Sequence, residues 1–194
     1  KPSATPEYYS HCGYKQQTEV PMDIPMPKFN SISNGAPCVR MLKRFPVHAP
    51  LNWHLDERGS LIELFRGSWE NDHEGPVRQA YISTTRSGVV KGWHLHMKQT
   101  DRFVCLRGTV MVAMCDLMNP EQVVRTVVLS ADRGISICTV PPRFAHGWKS
   151  IGEEEAWILN LCSHEYDGTD EWRRPPHSGP SDKISFNWNK EVDG

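Results

Sequence analysis

The 194-residue chain lacks a surplus of either charge: 22 Lys and Arg stand against 23 Asp and Glu, a formal net charge of −1. Nucleic-acid binding draws on a basic surplus, so no nucleic-acid partner is expected. No run of 18 apolar residues exists and the mean hydropathy is −0.54, so no membrane-spanning helix is expected either. No basic segment followed by an apolar stretch opens the sequence, and the cytoplasm is the expected compartment. None of the six cysteines forms a CxxC pair. Cys105, Cys115, Cys138 and Cys162 lie within apolar runs, which points to buried free thiols rather than a disulfide framework. No stretch of twelve residues carries a clean helical stripe, and no internal repeat is present.

What the sequence does contain divides into two textures. Residues 1–45 carry Pro2, Pro6, Pro21, Pro25, Pro27 and Pro37 and no periodic stretch. Proline lacks a backbone donor and resists helix interiors and central strands, so this part reads as an extended N-terminal arm. Its Tyr8, Tyr9 and Tyr14 suggest that part of it packs on another surface such as a second subunit, and a mobile tail is the alternative reading. Residues 46–194 read as one domain of short β-branched and aromatic runs broken by turn residues. Strands are expected at 60–65, 77–83, 89–96, 102–106, 109–116, 125–129, 134–140 and 156–162, with Gly108 forming a tight hairpin. So many short strands in about 140 residues imply an all-β sandwich or barrel.

Chemistry concentrates in three segments, residues 92–108, 134–146 and 56–63. In a strand, residues i and i+2 share a face, so His94 and His96 of Gly92-Trp93-His94-Leu95-His96 point the same way. His146 follows the Pro141-Pro142 turn about fifty residues later, where a neighbouring strand can bring it to the same interior. Two histidines on one face and a third placed by a turn are more than isolated core residues. Glu153-Glu154-Glu155 reads as a solvated turn, and the other histidines lack a second ligand at useful spacing.

These spacings resemble the cupin superfamily. His94, His96, Asp101 and Gly108 match its first motif, with Asp in place of the usual Glu, and Gly134, Pro141 and His146 match its second, with Arg143 at the second glycine. The resemblance implies a jelly roll, a double-stranded β-helix. Within the cupins, the chain from about Asp56 to Trp188 is most similar to the dTDP-4-dehydrorhamnose 3,5-epimerase family. The similarity is carried by Asp56, Arg58, Gly59, Leu61 and Glu63, by Gln79 and Ser83, by Lys91 to His96, by Phe144-Ala145-His146-Gly147, and by Tyr166-Asp167 with Glu171 and Arg173. Four positions depart from the pattern. Asn160 stands where the family has its acid tyrosine, Tyr81 replaces an Asn, Lys91 replaces an Arg, and the family's Lys falls near Asp101. The carboxylate that pairs with the catalytic histidine falls next to Asp182.

The resemblance implies a sugar-nucleotide epimerase or isomerase acting on a nucleoside diphospho-4-keto-6-deoxy sugar without a cofactor. His94 would be the base, oriented by a carboxylate such as Asp182, since a histidine suits proton transfer at neutral pH. Lys91, His96 and Arg102 are the candidate donors to a developing enolate. Arg58, Glu63 and Gln79 would hold the nucleotide diphosphate; Tyr81, His146 and Asn160 would line the sugar site. A homodimer is expected, because the family is dimeric and its Arg58-type residue reaches a neighbouring subunit's site. Three alternatives stand beside this reading. The first is a 3,4-ketoisomerase, a cupin class whose HxH pair is similar. The second is a metal-dependent cupin in which His94, His96, Asp101 and His146 hold Fe, Ni, Mn or Zn. The third is a binding protein that has kept the sugar-nucleotide site without catalysis.

Overall fold

The computed structural model describes residues 47–69, 75–119 and 123–189, all within one compact unit. The Pro-rich arm, Cys12 and Cys38 lie outside the described residues. Among the described residues, twelve strands, all paired antiparallel, form two five-stranded sheets and a separate hairpin. The first sheet runs β1(Val47–Pro50), β9(Ser136–Val140), β6(Asp101–Arg107), β11(Ala156–Cys162), β4(Gln79–Thr85). The second runs β12(Trp172–Arg173), β5(Val90–Leu95), β10(Phe144–Ser150), β7(Thr109–Asp116), β8(Val124–Ser130). β2(Trp53–Asp56) and β3(Gly59–Ile62) make the hairpin. The two sheets face one another as the expected jelly roll, and the only helical pieces among the described residues are two single 3-10 turns. No helix there is long and apolar enough to cross a membrane.

All eight expected strands are present, 109–116 and 156–162 with the expected ends and the other six with shifted ends, and the sequence reading missed β1, β2, β10 and β12. β10 reads Phe-Ala-His-Gly-Trp-Lys-Ser, which has no β-branched run. It is a strand because β5 and β7 pair with it on both sides. Gly108 corrects one expectation. It does not close a hairpin: β6 pairs with β9 and β11, whereas β7 pairs with β8 and β10. The chain crosses there from one sheet to the other. A Cβ at Gly108 (φ +70°) would lie 3.2 Å from Ala156 Cα, and glycine alone adopts this φ without strain.

β7 reads as one apolar run because both of its faces are covered. Val110, Val112 and Met114 point between the sheets and pack with Phe103, Leu129, Cys138, Trp148 and Ile158. Met111 and Ala113 point outward and pack with Trp93, Ala145 and Trp188, a cluster capped by Phe186 of the C-terminal segment. The indole N–H groups of Trp93 and Trp188 both donate to the carbonyl of Pro176 (3.3 and 3.1 Å), which ties that segment down. Cys105, Cys115, Cys138 and Cys162 are buried free thiols, as expected, and burial pushes Cys138 up to about 12.

Candidate active site

Register brings the three histidines together. His146 of β10 lies opposite His94 of β5, and a bulge then pairs Gly147 with Gly92. The bulge skips Trp93, which turns to the outer cluster. Two glycines are needed at this crossing. A Cβ at Gly147 would sit 2.7 Å from the Lys91 carbonyl and 2.8 Å from Gly92 Cα. Ring centroids lie 6.1 Å apart for His94 and His146 and 5.7 Å apart for His96 and His146.

Asp101, at the start of β6, sits beneath them and is buried. Its Oδ2 is 3.2 Å from His146 Nε2 and 3.5 Å from His96 Nε2, and its Oδ1 accepts from Gln99 Nε2 (2.7 Å) and Asn160 Nδ2 (2.8 Å). Burial would push this carboxyl up. The hydrogen bond and charge of His146, the charge of His96 and the Asn160 amide outweigh it and hold Asp101 far below the usual carboxylate range.

His94 of β5 and His96, just past its end, are anchored by two adjacent residues far along the chain. His94 Nδ1 lies 3.2 Å from Glu171 Oε1, and a carboxylate only accepts, so Nδ1 carries the proton and Nε2 keeps its lone pair. His96 Nδ1 donates to the Asp170 carbonyl (3.0 Å), and the Asp170 carboxylate accepts the backbone N–H groups of Met97, Lys98 and Gln99 at 3.1–3.2 Å. The pairing of β12 with β5 delivers these residues. Burial alone would raise Glu171, but hydrogen bonds from His94 and Arg173 lower it to about 2. His94 is pulled below its ordinary value by burial, opposed by its bond to Glu171. Lys91, lowered by burial, donates from Nζ to Ser83 Oγ at 2.8 Å.

The structure thus gathers Lys91, His94, His96, Asp101, His146, Asn160 and Tyr81, with Gln79 on the same face of β4 as Tyr81 by alternation. Two expected contacts are corrected, and two expected nucleotide contacts lie apart from the histidines. Asp182 does not orient His94; its Oδ1 accepts from Arg174 Nη2 (2.6 Å) on the surface, and Glu171 has the place expected for it. Arg102 is no enolate donor. It follows the inward Asp101, so it points to the opposite face, where its guanidinium donates to the carbonyls of Leu161 and Gly75 and lies over the Phe65 ring. Arg58 and Glu63 lie away from the histidines and make local pairs, Arg58 with Asp56 and Glu63 with Arg66. Asp170 and Glu171 were missed in role. Their signal was the charged run from Tyr166 to Arg173, whose partners lie some 75 residues earlier.

Three of the four residues proposed as metal ligands converge: one donor atom each from His96, Asp101 and His146 lie within 4.8 Å of one another. Both histidines give Nδ1 to carbonyls, of Asp170 and Phe144, which leaves both Nε2 atoms toward Asp101. Such an outer hydrogen bond is what a metal-ligating histidine makes, so this donor set fits a divalent ion. His94 stands outside it, held by Glu171.

Two antiparallel sheets enclosing a histidine–carboxylate cluster at one end define a cupin-type jelly roll. The chain belongs to the polysaccharide biosynthesis C-terminal domain family, which it matches over residues 54–171. A probable low-salt glycan biosynthesis epimerase of Haloferax volcanii is 32% identical over 148 residues, covering 74% of this chain and 93% of that protein. A spore coat polysaccharide biosynthesis protein of Bacillus subtilis is 32% identical over 144 residues, covering 71% and 91%. The crystal structure of a dTDP sugar isomerase from Desulfovibrio desulfuricans superposes with a TM-score of 0.65 at 20% identity, covering 76% of this chain and 92% of that one.

Proposed function

We propose that the protein is a sugar-nucleotide isomerase of glycan biosynthesis that moves a proton at a carbon next to the C4 ketone of a nucleoside diphospho-4-keto-6-deoxy sugar. The observation that carries the reading is His94. It is 21% exposed at the side chain, its Nδ1–H is fixed on Glu171, and its Nε2 is left as a base. The names of the Haloferax and Bacillus relatives support the glycan context, and the Desulfovibrio protein supports a dTDP-linked substrate.

In this reading His94 Nε2 takes the proton α to the ketone. Lys91 supplies the positive charge that favours negative charge on the ketone oxygen, and Asp101 holds His96 and His146 in place beside it. Arg58, Glu63 and Gln79 remain the proposed nucleotide contacts. The β2–β3 hairpin leaves Trp53, Leu55 and Leu61 exposed with Arg58 near its tip, which supports a homodimer in which Arg58 serves a second subunit. A monomer at micromolar concentration in sedimentation would count against that part.

The test is incubation in deuterated water with a panel of these sugars, followed by location of the deuterium. His94→Asn should lower uptake by about 10²–10⁴-fold while binding holds within a few fold, because a base acts mainly in the transition state. Undiminished uptake in that variant would sink the assignment.

A second reading rests on the convergence of His96, Asp101 and His146. These residues would hold a divalent metal, which would polarise the substrate carbonyl as a Lewis acid. Activity that disappears on chelation and returns with Fe, Ni, Mn or Zn would favour it; uptake that is indifferent to chelator favours the cofactor-free reaction.

A further inference from the structure

Asn160 cannot donate a proton as an acid, yet its position in the network decides the role of its neighbour. Asn160 of β11 pairs directly with Tyr81 of β4. The orientation of its amide follows from three contacts. Oδ1 accepts the backbone N–H of Arg102 at 3.0 Å, so Nδ2 is the group facing Asp101 Oδ1 at 2.8 Å and the Tyr81 hydroxyl at 3.0 Å. The reverse orientation would set an NH2 against an N–H and a carbonyl oxygen against a carboxylate. Both amide hydrogens are therefore given away, one to Asp101 and one to Tyr81.

The Tyr81 oxygen is thus an acceptor toward Asn160, and its own O–H must be aimed elsewhere. Cys162, buried beside Tyr81 and Asp101, offers sulfur, a weak acceptor. Burial and the charge of Asp101 push the Tyr81 phenol above its ordinary value, so it stays protonated at neutral pH. The residue as a whole is 42% exposed, with its ring reaching the surface of β4 and its hydroxyl turned toward Asn160. Ser83, two residues on along the same face of β4, carries the bond to Lys91 Nζ, which sets Tyr81 beside the β5 end of the cluster.

We infer that Tyr81 is a catalytic residue whose phenol O–H donates to the ketone oxygen of the substrate as charge builds there, with Asn160 as the residue that positions it. The inference rests on the isomerase reading above. The step balances without any further reactant. His94 Nε2 takes the proton from the carbon next to the ketone, and the C–H electron pair forms the carbon–carbon double bond. The carbonyl π pair moves onto oxygen, where the Tyr81 hydrogen bond meets it. Return of a proton to carbon reverses these movements, and Tyr81 keeps its hydrogen. The phenol that the resembled family carries on the strand of Asn160 is supplied here from the strand next to it.

Deuterium uptake from the same panel of 4-keto sugars tests this in the full chain, with wild type, Tyr81→Phe and Asn160→Leu, each checked for folding by circular dichroism. Tyr81→Phe should lose about 10²–10³ in kcat, the usual cost of removing one such donor, with KM within a few fold. Asn160→Leu should lose part of that, and the two changes combined should cost little more than Tyr81→Phe alone. Site-specific 3,5-difluorotyrosine at position 81, a more acidic phenol, should restore uptake and bring the alkaline limb of the pH profile to lower pH. A phenol that merely fills space would leave that limb unmoved. Wild type that takes up deuterium while Tyr81→Phe matches it within threefold overturns this inference alone. No uptake by wild type from any sugar overturns the isomerase reading and this inference with it.

Discussion

The space between the two sheets is filled in two ways. Toward one end, Val110, Val112, Leu129 and Ile158 pack as an apolar core with almost no exposed surface. Toward the other, β5 and the residue just past it, with β6, β10 and β11, carry His94, His96, Asp101, His146 and Asn160, also buried or half-buried. The apolar end is stabilised without regard to direction, by surface removed from water. The polar end holds together only because each donor has a particular acceptor: Asp101 alone receives Gln99 and Asn160 and faces two histidines. One half of the interior tolerates exchange of one aliphatic for another; the other specifies residue, tautomer and orientation.

Three substitutions separate the halves. The largest effect is expected from Leu129→Ala in the apolar half, which should cost about 2–5 kcal/mol of stability in denaturant unfolding. It should leave the pH dependence of turnover unchanged; a moved acid limb would show that the halves are coupled.

Glu171→Gln should do the opposite, costing on the order of tenfold or more in kcat through loss of His94 orientation. Glu171 raises the basicity of His94, whose value already lies below the ordinary 6.5, so its removal should move the acid limb of the rate profile to still lower pH. The stability signature has its own sign. A carboxylate lowered from 4.5 to about 2 stabilises the fold above pH 4.5, and that contribution is lost as pH falls toward 2. Acid unfolding of Glu171→Gln should therefore be less steep in that window.

The smallest effect is expected at Asp182, which lies outside both halves. Its side chain is 69% exposed and pairs with Arg174, so Asp182→Asn should change stability by less than about 0.5 kcal/mol. It should also leave the rate profile in place. A large rate loss there would restore Asp182 as the partner of His94 in solution.

The amino-acid sequence by itself determined the all-β class, because runs such as 109–116 and 156–162 are strand-like in composition and length. It also determined that His94 and His96 share a face and that His146 follows a turn toward them, since these depend on local periodicity and on two prolines. Tertiary structure decided the rest. β10 is a strand only because β5 and β7 flank it, and Gly108 is a crossing rather than a hairpin because the two strands it joins find different partners. Glu171 reaches His94, and Asp170 reaches His96, through a two-residue strand whose identity comes entirely from pairing with β5. Arg102 leaves the site for the opposite face because alternation turns it away from Asp101. Asn160 and Tyr81 meet across two strands nearly eighty residues apart in the chain, and no local pattern encodes that contact. Local spacing fixes which face a side chain uses, whereas its partner depends on which strand is its neighbour, and that is settled only when the whole sandwich closes.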